Sequence, residues 1–393
     1  MTTQVVVLGA GYAGAGAVKS FENEIDDGEA ELTWISEQDY HLVLHEVHRV
    51  VRKPSVESKI AIPVDEIKSP ETNFVEGHVA NVDTDERVVE LDDDTSVDYD
   101  YLLVALGSAT AFYGIEGLEE YSLTLKGLDD AREIHEEVKA AAEAGSRSEP
   151  AQIIVGGAGL SGIQCAGEIA AFRDQHRAPI DIKIVEGLDE IFPGQDPEVQ
   201  GALRKRLQDA DVEILTGDFI SKVDEETIYL GGGEDEDPEE LDYDTLVWTG
   251  GITGQEEVAE ADVDKDERSN RIFADQDFQT SDERVFAIGD SALVDQGDDT
   301  IAPPTAQAAW QAADVAGENL ARAVRGGPLK TWTHKDKGTV ISVGDKAVAH
   351  DVQGVPINTF GGPGAKILKK GIAAKWIADV SSAKRAYDAW EDM

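Results

Sequence analysis

Two stretches of the chain repeat one pattern of apolar and polar positions. Each begins with a short apolar run, at residues 4–8 and 152–155, crosses a cluster of glycines and continues into a helix-length segment of small residues. A second apolar run follows each segment, at residues 31–36 and 182–185. Short apolar runs bounded by glycine are typical of buried strands, and strands that alternate with helices form parallel sheets. The pattern therefore predicts an α/β fold with two strand–helix–strand units.

Three further apolar runs end in glycine. They occupy residues 99–107, 243–250 and 285–289, and their final glycines are Gly107, Gly250 and Gly289. Asp290 follows the last of these runs directly. A glycine at a strand end lets the backbone approach a phosphate, and the Asp290 carboxylate can accept hydrogen bonds from a sugar alcohol. We expect these strand ends to contribute to nucleotide sites.

The glycines of the two repeated units have the spacing of a dinucleotide-binding turn. Such a turn lets a pyrophosphate lie against the backbone at the positive N-terminus of a helix. A glutamate that can bind ribose hydroxyls ends the second strand of each unit, Glu37 at 28 residues after Gly9 (37 minus 9) and Glu186 at 29 residues after Gly157 (186 minus 157). Two copies predict two nucleotides. The motif glycines are Gly9, Gly11 and Gly14 in the first copy, and Gly157, Gly159 and Gly162 in the second.

A predicted helix after the last apolar run carries two amides on one face. Two prolines precede Thr305, which can cap the first turn of this helix. Gln307 and Gln311 lie four positions apart and point the same way, and their amides suit the two carbonyls of a quinone. Small residues form a second face against which a flat ring could lie; they are Ala306, Ala309 and Ala313.

Two of these segments resemble motifs of known families. The stretch from Thr280 to Asp290 resembles the second FAD motif of flavoproteins with two dinucleotide-binding domains, and the stretch from Ala306 to Gln311 resembles the quinone-site signature of type II NADH dehydrogenases. Residues 112–131 and 331–344 resemble segments of the same family. The resemblance implies an enzyme that passes electrons from NADH through FAD to a membrane quinone without pumping protons.

The same resemblance implies a domain plan and roles for residues. Two Rossmann-like domains are expected, with an NADH-binding domain (113–277) inserted in an FAD-binding domain (1–112 and 278–325) and a C-terminal segment after them (326–393). FAD is expected at the first glycine turn, Glu37, Gly107, Gly289 and Asp290. NADH is expected at the second turn, Glu186 and Gly250. Glu186 favours NADH over NADPH, because a 2′-phosphate would meet its carboxylate and no arginine stands beside it.

Three residues are candidates for catalytic roles: Lys337, Gln164 and Glu168. Lys337 is a candidate to stabilise reduced flavin or quinone. The resembled family has a glutamate where this chain has Gln164, and its Pro-Leu-Leu after Tyr40 and His41 is missing here. A neutral amide cannot relay a proton, so we look one helical turn further to Glu168, which alternatively pairs with a backbone amide or an arginine.

Charge and composition narrow the partners. The chain of 393 residues has a formal charge of -46, with 34 Lys and Arg against 80 Asp and Glu, which argues against nucleic acid as a partner. Carboxylates occur on nearly every predicted loop, including the predicted hairpin tip at 231–238, and this distribution indicates adaptation to concentrated salt. His41, His45 and His48 lack a further metal ligand, so packing near the flavin is their expected role and no metal is expected.

The C-terminal segment differs from the remainder of the chain. Its last 68 residues carry 10 Lys and Arg against 7 Asp and Glu. Apolar residues recur there at helical spacing beside basic ones, which predicts helices in a membrane interface on the cytoplasmic side; packing on the body of the protein or on a second subunit stays open. The apolar positions are Leu368, Ile372, Trp376, Val380, Ala383, Tyr387 and Trp390, and the basic ones are Lys366, Lys369, Lys370, Lys375, Lys384 and Arg385.

Other functions stay open at this point. A sulfide:quinone reductase shares the expected fold but needs a redox-active cysteine pair, and Cys165 is the single cysteine of the chain. A ferredoxin reductase would not need the two glutamines or the basic tail. A flavoprotein that senses NADH without turnover is compatible with the acidic surface. The sequence does not identify the quinone and leaves a homodimer open.

Overall fold

Helices and strands alternate in the computed structural model, which describes residues 2–232 and 237–393. The predicted acidic tip at 231–238 lies partly outside these residues, since 233–236 are not described. The helices are α1 (Tyr12–Glu24), α2 (His48–Arg52), α3 (Glu57–Ile60), α4 (Leu118–Tyr121), α5 (Leu128–Ala144), α6 (Leu160–His176), α7 (Pro197–Gln208), α8 (Ala306–Val324), α9 (Pro363–Val380) and α10 (Ala383–Ala389).

The strands are short, and most belong to sheets of three to five strands. In the first third of the chain they are β1 (Thr3–Leu8), β2 (Ala30–Ser36), β3 (Tyr40–Leu42), β4 (Ala61–Pro63), β5 (Asn73–Glu76), β6 (Val79–Asp83), β7 (Val88–Leu91), β8 (Ser96–Asp98), β9 (Tyr101–Val104) and β10 (Ala109–Thr110). In the middle third they are β11 (Ala151–Gly156), β12 (Ile180–Glu186), β13 (Glu213–Thr216), β14 (Ile220–Val223), β15 (Thr227–Leu230), β16 (Glu239–Asp242), β17 (Thr245–Trp248) and β18 (Ile252–Thr253). The last are β19 (Ile272–Ala274), β20 (Val285–Ala287), β21 (Ala292–Gly297), β22 (Thr300–Ile301), β23 (Thr339–Val343), β24 (Lys346–His350) and β25 (Thr359–Gly361).

The first sheet joins strands from distant parts of the sequence. Its order is β20-β9-β1-β2-β5, and all neighbouring strands are parallel. Residues 5–8 of β1 are buried, as a central strand covered on both faces requires. Helices α1 and α8 pack against each other beside this sheet. Because the carboxyl ends of parallel strands lie at one edge, residues 9–14, 105–108 and 288–291 converge there.

A second parallel sheet contains the repeated unit. Its order is β13-β12-β11-β17, with α6 connecting β11 to β12. Strands β10 and β18 pair antiparallel just after β9 and β17, and so join the two sheets where the chain crosses between them. The α/β fold predicted from the apolar pattern is confirmed.

The C-terminal elements pack on both parts. Strands β23, β24 and β25 form an antiparallel sheet that lies against α6, α7 and α9. Helix α9 also contacts α1, and α10 packs on α9 and α3. In the described ranges, no helix is long and apolar enough to cross a membrane.

Candidate active site

The first glycine turn forms a cradle at the N-terminus of α1. Gly9 has φ +96°, in the left-handed region, and a Cβ there would lie 2.4 Å from the carbonyl oxygen of Ala105. A Cβ at Gly14 would lie 1.9 Å from the carbonyl oxygen of Gly9, so only glycine permits this packing of helix on turn. A Cβ at Gly11 would meet no atom within 4 Å. The space beside Gly11 is therefore free for a phosphate group, as FAD requires.

The other predicted residues of this site lie at the same sheet edge. Gly289 has φ +70°, and its Cβ would lie 3.1 Å from that of Ala13 in α1. Asp290 is partly exposed there and accepts a hydrogen bond from Ser108 Oγ (3.3 Å). The carbonyl of Gly107 accepts one from Ser291 Oγ (3.0 Å), and Glu37 is exposed at the end of β2. The arrangement suits a ligand that runs from Glu37 across the turn to Asp290.

Lys126 also belongs to this edge and was missed by sequence reasoning. Its Nζ donates to Ser108 Oγ (3.0 Å), which in turn donates to Asp290. Burial lowers the pKa of Lys126, although the nearby Asp290 carboxylate opposes this shift. Its position between two strand ends depends on tertiary packing, and the only local signal is that the lysine precedes Gly127 at the cap of α5.

The second glycine turn repeats the cradle. Gly157 has φ +90°, and a Cβ at Gly162 would lie 1.9 Å from the Gly157 carbonyl oxygen, whereas a Cβ at Gly159 would meet no atom within 4 Å. Gly250 packs directly beneath, since a Cβ at Gly157 would lie 2.6 Å from its Cα. The free space beside Gly159 again fits a phosphate.

The carboxylate of Glu186 is held at the end of β12 next to this turn. It accepts hydrogen bonds from the backbone N–H groups of Ala158 (2.8 Å) and Leu188 (3.1 Å). A carboxylate has about four acceptor positions, so two remain for the hydroxyls of a ribose. The geometry fits a nucleotide that carries no 2′-phosphate.

The two glutamines of α8 hold the backbone of residues 335–338. Thr305 caps this helix by accepting from the N–H of Ala308 (3.2 Å), as predicted. Gln311 donates to the Lys335 carbonyl (2.9 Å) and accepts from its N–H (3.1 Å). Gln307 donates to the Gly338 carbonyl (3.1 Å) and accepts from the N–H of Lys337 (2.7 Å), whose side chain is exposed. The amides lie together, as predicted, but their hydrogen bonds position a segment of the chain.

The small-residue face of α8 is closed to a ring at Ala313, and for this residue the expectation was wrong. A Cβ at Gly16 of α1 would lie 2.6 Å from the Cβ of Ala313, which is fully buried. Ala309 is buried as well and faces Gly289, while Ala306 is partly buried in the first turn. The small side chains let α1 and α8 approach closely, and this packing covers Ala313.

Ionisable and polar side chains meet in the interior between α2, α6 and α9. Lys369 of α9 is 4% exposed, and its Nζ lies 3.3 Å from Glu46 Oε1 and donates to Gln164 Oε1 (3.3 Å). Gln164 Nε2 donates to His48 Nδ1 (2.8 Å). Glu168 pairs with Arg52 (2.7 Å). We call this set the buried polar cluster; it comprises Glu46, His48, Arg49, Arg52, Gln164, Glu168 and Lys369.

Burial sets the protonation behaviour of this cluster. It raises the pKa of Glu168 to about 7, although Arg52 and Arg49 oppose the shift. It lowers the pKa of Lys369, with Glu46 opposing. Burial alone would raise the pKa of Glu46, but attraction to Lys369 and Arg49 outweighs burial and holds this pKa below its ordinary value. Glu168 is therefore a carboxyl that can exchange a proton near neutral pH.

Two of the three predicted histidines, His41 and His45, lie close to the first turn, whereas His48 belongs to the buried polar cluster. His41 Nδ1 donates to the carbonyl of Ala10 (2.7 Å), and the Trp376 indole N–H donates to His41 Nε2 (2.7 Å). His45 hydrogen-bonds Tyr12, and burial lowers the pKa of His45 to about 3. In the described part of the chain, no group of three or more His, Cys, Asp or Glu side chains is arranged for a metal ion.

The C-terminal helices differ from the sequence expectation. Trp376, Val380 and Lys369 all face the interior, because α9 turns this side toward α1 and β24. Their assignment to an exposed apolar stripe with a basic border was wrong. Lys369 shares its face with Ala365, Ala373 and Trp376, a spacing that could have revealed the buried lysine. The exposed apolar side chains are Ile367 (60%), Ile372 (37%), Tyr387 (81%) and Trp390 (37%).

Comparison with known proteins agrees with this architecture. Type II NADH:quinone oxidoreductases of Staphylococcus aureus strain NCTC 8325 and Staphylococcus saprophyticus are each 29% identical to the chain. The first alignment covers 98% of this chain and 97% of that protein, and the second covers 90% and 89%. The structure of NDH2 from Plasmodium falciparum in complex with NADH has the same fold, with a TM-score of 0.83 at 16% identity over 100% of this chain and 98% of that one.

A more distant likeness is the sulfide:quinone oxidoreductase of Aquifex aeolicus, with a TM-score of 0.79 at 17% identity over 98% of this chain and 92% of that one. The family model described as pyridine nucleotide-disulphide oxidoreductase matches residues 3–313. This match covers more than half of the chain and includes both glycine turns, the strand ends around Asp290 and the beginning of α8 as far as residue 313. The chain therefore belongs to the pyridine nucleotide-disulphide oxidoreductase family.

Proposed function

We propose that this protein is a type II NADH:quinone oxidoreductase that holds FAD. The observation that carries the proposal is the pair of glycine cradles, each with free space beside its middle glycine, in a chain aligned over nearly its full length with enzymes of that activity. When bound, FAD would accept a hydride from NADH and pass two electrons to a quinone. No ion crosses a membrane in this scheme.

FAD and NADH are assigned to different cradles. Gly9, Gly11, Gly14 and Gly107 would border the FAD backbone, with Glu37 on the ribose and Gly289 and Asp290 on the ribitol. Gly157, Gly159, Gly162 and Gly250 would border NADH, with Glu186 on its adenosine ribose. We move the proposed return of the chain to the FAD-binding part from residue 278, as expected from the sequence, to near residue 250. Gln255 Nε2 donates to the Leu106 carbonyl (3.3 Å) and Arg271 to the Asp290 carbonyl (2.8 Å), so residues before 278 already contact the first part.

A quinone is assigned to the region of Ala306, Gln307 and Gln311. In this proposal the glutamines act by holding residues 335–338, so that Lys337 stands at the rim and its charge favours reduced flavin or quinone. An amide that already bonds the backbone retains limited capacity for a substrate carbonyl. Removal of either glutamine is therefore expected to slow the reduction of quinone, because residues 335–338 are no longer held in place.

Quinone reduction by NADH consumes one proton from the medium, and the buried polar cluster offers a route. Glu168 pairs with Arg52, which also pairs with Asp345 (3.1 Å), and the Asp345 side chain is 71% exposed. On the inner side, Gln164 lies one turn before Glu168 and accepts from Lys369. We assign the ionisable role to Glu168 and a positioning role to Gln164, which orients His48 and Lys369.

The exposed C-terminal residues support attachment to a membrane surface on the cytoplasmic side. The exposed or partly exposed side chains of this segment include four apolar ones, Ile367, Ile372, Tyr387 and Trp390, and the basic ones of Lys366, Lys370 and Lys384. Lys370 Nζ lies 5.9 Å from the centre of the Trp390 ring. Aromatic and basic residues together favour a headgroup interface. In concentrated salt the apolar contacts would dominate, because charge attraction is screened within about 3 Å at 1 M.

Sedimentation with vesicles of phosphatidylglycerol and phosphatidylcholine tests this attachment. The double substitution Tyr387→Ser with Trp390→Ser should reduce the bound fraction at low and high salt, while Phe273→Ser, at an exposed aromatic elsewhere, should not. Equal binding of the double variant and the wild type would refute the attachment. Truncation is unsuitable as a test, because removal of α9 would also delete Lys369 and Trp376 from the interior.

The surface charge suggests adaptation to salt, which we also propose. With a net charge of -46, self-repulsion should destabilise the fold at low ionic strength. The free energy of unfolding should rise steeply between low and molar potassium chloride. A free energy of unfolding that does not change with the concentration of potassium chloride would refute this proposal without affecting the assigned activity.

Stopped-flow spectroscopy tests the proposed activity. NADH should bleach the flavin absorbance, and a ubiquinone or menaquinone analogue should restore it. Bleaching without reoxidation by quinone would favour a ferredoxin-reductase-like or NADH-sensing flavoprotein. Oxidation of sulfide is disfavoured, because it needs a redox-active cysteine pair, and Cys165 is the single cysteine of the chain and is buried.

A further inference from the structure

Three aromatic rings form a continuous line from the first glycine turn to the surface. Tyr12 follows Gly11 of this turn as the first residue of α1, and it is 6% exposed. The centre of its ring lies 4.7 Å from that of Trp376, which is 1% exposed, and the rings of Trp376 and Trp310 are 4.6 Å apart. Trp310 is partly exposed on α8. Phenol and indole are the most readily oxidised aromatic side chains, so neighbouring rings of these types can exchange an electron.

Each of the two buried rings is hydrogen-bonded to an imidazole that can accept its proton. The Tyr12 hydroxyl bonds His45 Nδ1, and the Trp376 indole N–H donates to His41 Nε2 (2.7 Å). His41 donates from Nδ1 to a backbone carbonyl, so its Nε2 is unprotonated. Burial lowers the pKa of His45 to about 3 and the pKa of His41 to about 4, so both imidazoles are neutral at neutral pH. A neutral imidazole is free to take the proton that an oxidised phenol or indole releases.

The charges at the two ends of the line favour oxidation of Tyr12 over oxidation of Trp310. Glu46 Oε1 lies 3.5 Å from His45 Nε2, so this carboxylate stabilises a protonated His45 against the repulsion of nearby cations. At the other end, Lys375 Nζ lies 4.7 Å from the centre of the Trp310 ring. A cation over an indole is attracted to the neutral ring and disfavours a radical cation there. An oxidising equivalent is therefore more stable on Tyr12 than on Trp310.

We propose that Tyr12 is a redox-active tyrosine and that Trp376 and Trp310 connect it to the solvent for one-electron transfer. This role is separate from the proposed oxidation of NADH. It rests on the proposed function only for the source of the oxidant, an oxygen radical formed when reduced flavin at the first cradle meets dioxygen. The line of rings would carry that oxidising equivalent away from the cofactor.

Electrons and protons balance along this route. The oxidant takes one electron from Tyr12, and the phenolic proton moves to His45 Nδ1, which leaves a neutral tyrosyl radical. An electron from Trp376 and the returning proton restore the phenol, while the indole proton of Trp376 passes to His41. An electron from Trp310 and the return of that indole proton restore Trp376. A thiol in the solvent then reduces Trp310 and becomes a thiyl radical with release of its proton, so the net transfer is one electron from thiol to oxidant.

Light-driven oxidation from the surface tests this route without NADH or quinone. Asp314 is exposed one helical turn after Trp310, and Asp314→Cys provides a single site for a ruthenium tris(bipyridine) label because Cys165 is buried. A flash in the presence of hexaammineruthenium(III) oxidises the label, which then withdraws an electron from Trp310. Electron paramagnetic resonance should show a tyrosyl radical. Its formation should be slower in deuterium oxide, because the phenolic proton moves with the electron.

Substitutions along the line identify the radical and its path. Tyr12→Phe and Trp376→Phe should each lose the tyrosyl signal, and Trp376→Phe should retain a tryptophan radical beside the label. Trp310→Phe, at the partly exposed ring, should lose the tyrosyl signal as well and serves if Trp376→Phe does not fold. Trp332→Phe removes an indole that packs on Phe278, outside this line, and should behave like the labelled parent.

Three results would overturn the route: no tyrosyl radical in the labelled parent, a tyrosyl signal that persists in Tyr12→Phe, or an unchanged signal in Trp376→Phe and Trp310→Phe. Equal rates in water and deuterium oxide would overturn the proton transfer to His45. Failure of the protein to reduce quinone would refute the proposed function and leave this measurement unaffected.

Discussion

The two glycine cradles are alike at the turn and different in the helix behind it. In both, the first glycine has positive φ, the third packs against the first, and the middle one borders free space. Helix α1, behind the first cradle, presents Gly16 and Ala17 to α8. Helix α6, behind the second, presents Gln164 and Glu168 to the buried polar cluster.

This difference shows that the glycine turn and the later turns of the helix behind it have separate roles. Binding a phosphate uses the first turn of the helix, and the later turns are free to meet other needs. In α1 they provide close helix packing beside the first cradle. In α6 they bring an ionisable carboxyl into the interior, where Gly167 lets β23 approach within contact distance.

The first prediction has the largest expected effect and adds a side chain in the free space of one cradle. Gly11→Val should abolish FAD retention, because the added methyl groups would occupy the phosphate position. Gly159→Val should retain FAD and lose NADH affinity by more than about 100-fold, an effect above roughly 2.7 kcal/mol. Flavin absorbance of the purified proteins and NADH titration measure the two outcomes.

A matched control uses glycines that have open space but lie outside the cradles. A Cβ at Gly201 in α7 would meet no atom within 4 Å, so Gly201→Val should retain both ligands. Loss of FAD from both cradle variants alike would mean that the two turns do not serve separate ligands.

The second prediction concerns Glu168, for which α1 has no counterpart. Its folded pKa of about 7 lies above the ordinary value of 4.5, so between these values the unfolded chain releases a proton that the folded chain keeps. The contribution of Glu168 to stability is therefore present below pH 4.5 and is lost as the pH rises to 7. Relative to wild type, the free energy of unfolding of Glu168→Gln should therefore increase by on the order of 3 kcal/mol as the pH rises from 4.5 to 7. Urea unfolding at several pH values measures it.

Asp174→Asn provides the control for that series, since Asp174 is an exposed carboxylate on the same helix. Its difference from wild type should not vary with pH in this way. The same Glu168→Gln variant should also reduce quinone at a rate that is insensitive to pH near 7. A pH dependence of stability equal to that of wild type would show that Glu168 is not the buried carboxyl responsible.

The third prediction separates the two strand-end glutamates. Wild type should oxidise NADH about ten to a hundred times more efficiently than NADPH, the scale of roughly 1–3 kcal/mol of charge repulsion at Glu186. Glu186→Gln should lower the ratio of kcat/KM for NADH to that for NADPH. Glu37→Gln should leave this ratio unchanged and lower the affinity for FAD. Steady-state kcat/KM with both reductants decides the matter; a ratio near one in wild type would contradict the role of Glu186.

The smallest expected effect concerns α8, which lies behind the first cradle. Gln311→Leu removes both hydrogen bonds to Lys335, while Gln307 still holds residues 337 and 338. The net effect on quinone reduction should therefore be that of about one neutral bond, roughly 0.5–1.5 kcal/mol or about three- to tenfold. The reduction of flavin by NADH should be unaffected. Stopped-flow traces of each half-reaction provide the measurement.

Asn319 offers a comparison within the same helix, because it also holds backbone, donating to the Lys330 carbonyl (2.8 Å) and accepting from the Lys330 N–H (2.8 Å). If Asn319→Leu slows only the quinone step to the same degree, the glutamines have no special relation to quinone. Equal losses in both half-reactions of Gln311→Leu would lead to the same conclusion.

The sequence allowed prediction of those features that depend on short segments. The glycine turns, Glu37 and Glu186 at the strand ends, and the cap at Thr305 are local patterns with one structural solution each. The inserted order of the two sheets followed from the family resemblance. These features form both glycine cradles and the strand ends beside them.

Features that depend on distant partners could not be predicted. Lys369 is buried because Glu46, more than 300 positions earlier, supplies its counter-charge. The small face of α8 is covered because α1 has glycine opposite Ala313. A helical pattern shows which side chains share a face, and the neighbour that this face meets decides whether a lysine there is solvated or enclosed.

The hydrogen bond from Trp376 to His41 has a consequence for the timing of assembly. It joins residues 335 positions apart, and His41 in turn bonds the carbonyl of Ala10 inside the first turn. Synthesis proceeds from the N-terminus, so the second nucleotide-binding sheet can fold while α9 has not yet been made. The surroundings of the first turn are completed only when α9 has left the ribosome. If FAD occupies the first cradle as proposed, we expect it to be captured only after α9 has been made, although the residues proposed to meet its phosphates are synthesised earlier.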